Sequence, residues 1–124
     1  MKKIALIVDD NALNIELVRF LLEAEGWEVR AASDAEQASA SLREVLPNVV
    51  LMDLGLPGIS GLELTRRLRA DPQTANLAIV AVTASAMKGD EAKALEAGCN
   101  GYIAKPIDTR SFVRQVDDVL DAAR

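Results

Sequence analysis

The sequence predicts a doubly wound α/β fold, a parallel five-stranded sheet with helices on both faces. Three observations predict it. Apolar runs and helical stripes alternate five times, each βα unit taking roughly 20–30 residues. The runs Ile4–Val8, Val49–Met52 and Leu77–Val82 are apolar without alternation, as in strands buried on both faces. Each is followed by polar or turn residues and then a helical pattern, the arrangement that right-handed βαβ crossovers require.

Ile4–Val8 reads as the first strand, closed by Asp9-Asp10-Asn11. A helix follows from Asn11 to Glu25, with Leu13, Leu17, Val18, Phe20, Leu21 and Leu22 apolar and Gly26 as its stop. That is more apolar positions than one buried stripe uses; either all are core, or one or two stay exposed as a docking surface for a partner. Trp27–Ala31 alternates weakly and reads as a strand nearer the sheet edge. Ser33 or Asp34 caps a helix to about Val45, which Pro47 ends.

Val49–Met52 is the central strand, running into Asp53 and a loop punctuated by Gly55, Pro57, Gly58 and Gly61. Ser60 or Gly61 starts the next helix, with Leu62, Leu64 and Leu68 at helical spacing and Asp71-Pro72 at its end. Leu77–Val82 is a strand closed by Thr83, and Ala86–Ala97 is helical with Gly98 as its stop. Gly101–Ala104 is the last strand, ending at Lys105-Pro106. Asp108 or Thr109 caps a final helix whose stripe is Phe112, Val113, Val116, Val119 and Leu120.

Composition narrows the function classes. At 124 residues the chain is expected to form one domain, residues 1–124, able to bury a core without disulfides or metals. A net charge of −5 with no basic stripe argues against nucleic acid. The lone Cys99 fits a reducing compartment, and no apolar run is long enough to span a membrane, so a cytoplasmic location is expected.

The strand ends carry the chemistry. In a parallel sheet all carboxyl ends share one edge, where open α/β sheets bind ligands. Asp9 and Asp10, Asp53, Thr83 and Lys105 close four of the five strands, and a flavodoxin-like order, 2-1-3-4-5, makes those strands neighbours. Three carboxylates repel one another, and one Lys offsets only part of that charge. A Mg²⁺ ion completes the neutralisation and prefers a few carboxylates, waters and phosphate oxygens. The set therefore points to phosphoryl chemistry, with one carboxylate as nucleophile. Taken singly, each residue also has a plain structural reading: Asp9-Asp10-Asn11 as a helix cap, Thr83 as a β-branched strand end, Lys105 as a surface lysine before a turn. Their joint placement favours the site.

Over essentially its whole length the chain resembles the receiver domain of two-component response regulators. The resemblance rests on Leu6-Ile7-Val8-Asp9-Asp10, on Leu51 to Gly61 around Asp53, on Val82-Thr83-Ala84 and on Tyr102-Ile103-Ala104-Lys105-Pro106. It implies the flavodoxin-like (βα)5 sandwich, with strand order 2-1-3-4-5. It makes Asp53 the phosphoacceptor. Asp10, Asp53 and the Gly55 backbone carbonyl are the implied ligands of Mg²⁺, for which Mn²⁺ can substitute, with Asp9 acting through water. Lys105 pairs with the phosphoryl group, Thr83 hydrogen-bonds to it, and Thr83 with Tyr102 forms the switch. The Lys105–Pro106 bond is expected to be cis. A finer resemblance of 81–91 and Gly98-Cys99 is to single-domain regulators of the DivK type and to receivers of hybrid sensor kinases.

The expected function is a phosphorylation switch that catalyses only its own phosphorylation and dephosphorylation. Its expected partners are a sensor histidine kinase or histidine phosphotransfer protein and a downstream target. The state is expected to be a monomer or a weak, phosphorylation-linked dimer. A receiver cut from a larger protein, a phosphate-independent interaction module and an Asp-based phosphohydrolase stay open as alternatives. Gly55 and Ser85, two residues beyond Asp53 and Thr83, are small, which predicts a phosphoryl group open to water.

Overall fold

A computed structural model of the chain describes residues 2–84 and 89–123. Five strands form one parallel sheet in the order β2-β1-β3-β4-β5, as expected. They are β1 (Ile4–Val8), β2 (Glu28–Ala32), β3 (Val49–Met52), β4 (Ile79–Thr83) and β5 (Gly101–Ala104). The helices are α1 (Ala12–Glu23), α2 (Ala35–Glu44), α3 (Gly61–Ala70), α4 (Asp90–Ala97) and α5 (Phe112–Ala122).

Successive strand residues point to opposite faces, and the core divides accordingly. Ala5, Ile7, Val49, Leu51, Val80 and Val82 pack with Val18 and Leu22 of α1 and Phe112 and Val116 of α5. Leu6, Val8, Val50, Met52, Ile79 and Ala81 pack with Ala38 and Leu42 of α2, Leu64 and Leu68 of α3 and Ala94 of α4. The unbroken apolar runs are thus strands covered on both sides. The broad apolar set on α1 is only partly core: Val18 and Leu22 are buried, whereas Leu13 is 78% and Phe20 69% exposed.

The caps of the first three helices and the glycine stops lie where the sequence signals them. Asn11, Asp34 and Ser60 are the N-caps of α1, α2 and α3, each accepting a backbone N–H three residues on. Gly26 and Gly98 follow α1 and α4 at φ 87° and 116°, backbone that favours glycine.

Several boundaries differ from expectation, among them the end of α1, which stops at Glu23 rather than Glu25, and of β2, which runs to Ala32 rather than Ala31. Trp27 is not in β2: its N–H closes the end of α1 on the Leu22 carbonyl, and pairing with β1 begins at Glu28. The fourth strand begins at Ile79, because Leu77 closes a turn on the Thr74 carbonyl, and Thr83 is its last residue rather than a residue beyond it. The last helix begins at Phe112, not after Asp108. The Asp108 carboxylate accepts the Arg110 N–H two residues on, and its carbonyl accepts Ser111 and Phe112, so a turn fills the first positions. The expected start of the fourth helix at Ala86 and the role of Ser85 lie outside the described residues.

Candidate phosphoacceptor site

Register brings the strand ends together. Val8 pairs with Met52, and Met52 with Ala81, so Asp9 and Asp53 follow side by side on adjacent strands. Thr83 pairs with Ala104, which puts Lys105 one residue past the same edge. Tight loops keep these residues there. Gly61 closes the β3–α3 turn, its N–H on the Leu54 carbonyl at 3.2 Å. A Cβ on it would stand 2.3 Å from the Asp53 carbonyl oxygen and 2.8 Å from Leu54 Cα, so only glycine fits there. The Lys105–Pro106 peptide is cis.

Asp9, Asp10 and Asp53 each offer a carboxylate oxygen within 4.8 Å of the others, a spacing that suits one hard divalent cation. Asp9 and Asp53 are buried, at 2% and 8% exposure, while Asp10 is exposed. Lys105 Nζ bridges the two buried acids, 3.0 Å from Asp9 Oδ2 and 3.4 Å from Asp53 Oδ2. Burial pulls the Lys105 ammonium down, but its hydrogen bond to Asp9 and the charges of Asp53 and Asp9 outweigh that and hold it above its ordinary pKa. Asp53 Oδ1 accepts the Gly55 N–H at 3.0 Å.

Asp53, Leu54, Gly55, Leu62, Thr83, Ala84, Asp90, Lys93 and Lys105 line a cleft of about 460 Å³ above these groups. A side chain on Gly55 would lie beside Asp53 Oδ1, its Cβ 3.7 Å away, so its absence does widen the mouth. Asp53 itself is nonetheless less open than that absence predicts, because Lys105 lies beside it at the floor of the cleft.

Thr83 is buried, on the α4 side of the sheet by strand alternation with Ile79 and Ala81. Tyr102 is not among the cleft residues. It is half-buried against the α2–α3–α4 core, and burial, with Asp90 and Glu91 nearby, pushes its hydroxyl pKa up. Asp9, Asp10, Asp53, Thr83 and Lys105, all named from the sequence, thus lie at this edge, whereas Asp90 and Lys93, which also line the cleft, were not singled out. Sequence reasoning also missed Asn14, whose side-chain amide donates to Asp9 Oδ2. The available signal was its place three residues after the N-cap Asn11, on the first turn of the helix that starts beside Asp9.

Comparison with family models matches residues 5–117 to the response regulator receiver domain. The polar-differentiation response regulator DivK of Brucella anthropi is 42% identical over 123 residues, which cover 99% of this chain and 100% of that protein. Among solved structures, a CheY-like receiver domain protein of Methanospirillum hungatei JF-1 matches with a TM-score of 0.89 at 29% identity, over 99% of this chain and 97% of its own. The receiver domain of the sensor histidine kinase PA1611 of Pseudomonas aeruginosa PAO1, solved with a magnesium ion in its active-site cleft, matches with a TM-score of 0.87 at 31% identity, over 98% of this chain and 99% of its own.

Proposed function

This chain belongs to the response regulator receiver domain family, a family of phosphoacceptors in two-component signalling rather than of conventional enzymes, and from that premise we propose that Asp53 is its phosphoacceptor. The observation that carries the proposal is the set around Asp53: two further acids within 4.8 Å and an ammonium 3.4 Å from its carboxylate, below an open cleft.

A phosphohistidine of a sensor kinase or phosphotransfer protein presents its phosphoryl group in the cleft. An Asp53 carboxylate oxygen forms the new O–P bond as the P–N bond breaks, and the electron pair of that bond stays on the imidazole nitrogen. Lys105 moves from the carboxylates to the phosphoryl oxygens, where its charge offsets theirs. Asp10, Asp53 and the Gly55 carbonyl, with Asp9 through water, would hold Mg²⁺ or Mn²⁺, which supplies charge stabilisation to the phosphoryl oxygens. The acid spacing fits such an ion.

The acyl phosphate adds about one to two negative charges, by analogy with phosphoserine. Thr83 turns to bond a phosphoryl oxygen and Tyr102 moves inward, changing the α4–β5–α5 face that a downstream target reads. Shifting such a switch from 1:99 to 99:1 takes about 5.5 kcal/mol of preference for the active state. The exposed Leu13 and Phe20 lie on the helix that begins at the Asp53 edge, and we assign them to contact with the phosphodonor's helices. Among the described residues no helix is long and apolar enough to cross a membrane, and we place the exchange in the cytoplasm.

The test is Asp53→Asn. With acetyl phosphate and Mg²⁺ the parent chain takes up label at Asp53 and the variant takes up none. Uptake by the variant at the parent's rate rejects the assignment.

A further inference from the structure

We propose that Asn14 is a positioning residue that keeps Asp9 turned into the acid cluster while Lys105 leaves it for the phosphoryl group, and so sets the Mg²⁺ affinity of the site. The proposal rests on the phosphoacceptor reading above.

Asp9, Asn11 and Asn14 form a closed ring of hydrogen bonds. The Asn11 N–H donates to Asp9 Oδ1 at 2.9 Å, Asn11 Oδ1 accepts the Asn14 N–H at 3.1 Å, and Asn14 Nδ2 donates to Asp9 Oδ2. A carboxylate can only accept, which fixes the nitrogen of the Asn14 amide toward it. Capping of α1 uses the Asn11 side chain and the Asn14 backbone. The Asn14 side chain adds nothing to that cap; its amide is directed at Asp9 instead.

The same Asp9 oxygen holds Lys105 Nζ at 3.0 Å. In the phosphorylated state the ammonium is needed at the phosphoryl oxygens. Asp9 is 2% exposed, so an oxygen abandoned there has little bulk solvent to turn to beyond water held by the ion itself. The Asn14 amide stays on that oxygen when the ammonium departs. Being neutral, it orients the carboxylate without competing with a cation for its charge. It also ties Asp9 to the first turn of α1, which fixes the acid relative to Asp10 and Asp53. Hydrogen-bond partners of a direct metal ligand typically change its affinity 10–100-fold when removed, and because Asp9 would reach the ion through water, Asn14 acts a step further out and the low end of that range applies.

The test uses Asn14→Leu, which is close in size and has no donor. Mg²⁺ affinity is read from backbone amide shifts during titration, without any phosphoryl donor. Trp27 fluorescence does not serve, because Trp27 is buried beyond the far end of α1. The expected result is Mg²⁺ binding about 10-fold weaker than in the parent, with label uptake from acetyl phosphate restored at saturating Mg²⁺. Affinity equal to the parent's overturns the proposal, as does a labelling defect that saturating Mg²⁺ does not relieve. If Asn14→Leu does not fold, Asn14→Ser, whose short hydroxyl cannot span the same gap, carries the same comparison. A parent that binds Mg²⁺ but takes no label at Asp53 rejects the phosphoacceptor reading. A labelled parent with unchanged affinity in the variant rejects only the role of Asn14.

Discussion

Replacing Lys105 with Met removes an ammonium that bridges two buried carboxylates. It lies 3.0 Å from Asp9 and 3.4 Å from Asp53, whose side chains are 2% and 11% exposed. Removing one partner of a buried ion pair leaves an uncompensated charge and costs about 3–5 kcal/mol. The Lys105 side chain keeps 16% exposure and its burial disfavours the ammonium, so the low end applies, about 3 kcal/mol in the presence of a chelator. A cation that binds only the folded chain, at a hundred times its dissociation constant, returns about 2.7 kcal/mol. Mg²⁺ stabilises both chains, but in Lys105→Met it meets three acids without a competing ammonium and binds tighter. At saturating Mg²⁺ the deficit between the chains then shrinks by about 1.4 kcal/mol for each tenfold by which the variant binds tighter. Urea unfolding at neutral pH, with chelator and with Mg²⁺, measures both quantities. A loss under about 1 kcal/mol in chelator, or a deficit unchanged by Mg²⁺, refutes the reasoning that Lys105 stands in for missing positive charge.

Three further outcomes follow from the geometry. Gly61→Ala forces a Cβ against the Asp53 carbonyl and Leu54 Cα, and destabilises the chain by about 2 kcal/mol in the same urea assay; a change within 0.5 kcal/mol (about the scatter of surface substitutions) contradicts the close contact. Burial pushes the Cys99 thiol above its ordinary 9.0, against smaller opposing effects of its Thr65 hydrogen bond and the Arg69 charge. The folded state therefore holds that proton longer than the unfolded chain. Stability from this group is complete below about 9 and is lost as pH rises through the folded value, with thiol-reagent labelling of native protein slow at mildly alkaline pH; labelling at the unfolded rate contradicts it. With no side chain at Gly55 to screen the cleft, the phosphoryl group on Asp53 hydrolyses without unusual delay, and a half-life of many hours at neutral pH is inconsistent with that.

Much of the fold was legible because its signals are local. Short unbroken apolar runs bounded by turn residues, such as Val49–Met52, read as strands covered on both faces, and Asn11, Asp34 and Ser60 cap helices using residues three positions away. Errors arose where a distant or competing bond decided the boundary. Trp27 looked like the start of a strand but its N–H was taken by Leu22, and Asp108 looked like a cap but closed a turn onto Arg110. Nothing in the sequence sets Arg69 apart from its neighbours Arg66 and Arg67. In the fold its guanidinium donates to the carbonyls of Gly98, Ala75 and Leu77 and to the Asn100 side chain, tying α3 to the loops before β4 and β5.

The sequence by itself determined the five βα units and which chemical groups end the strands: three acids, a hydroxyl and a lysine. These depend on periodicity and on residue type, which each short stretch carries on its own. Only the tertiary structure decided how those groups share their charges. Strand register set Asp9 beside Asp53, the end of β5 brought Lys105 across both, and the start of α1 aimed Asn14 at the oxygen Lys105 also holds. Those relations join residues as far apart as Asp9 and Lys105, and no local pattern encodes a hydrogen bond across that separation.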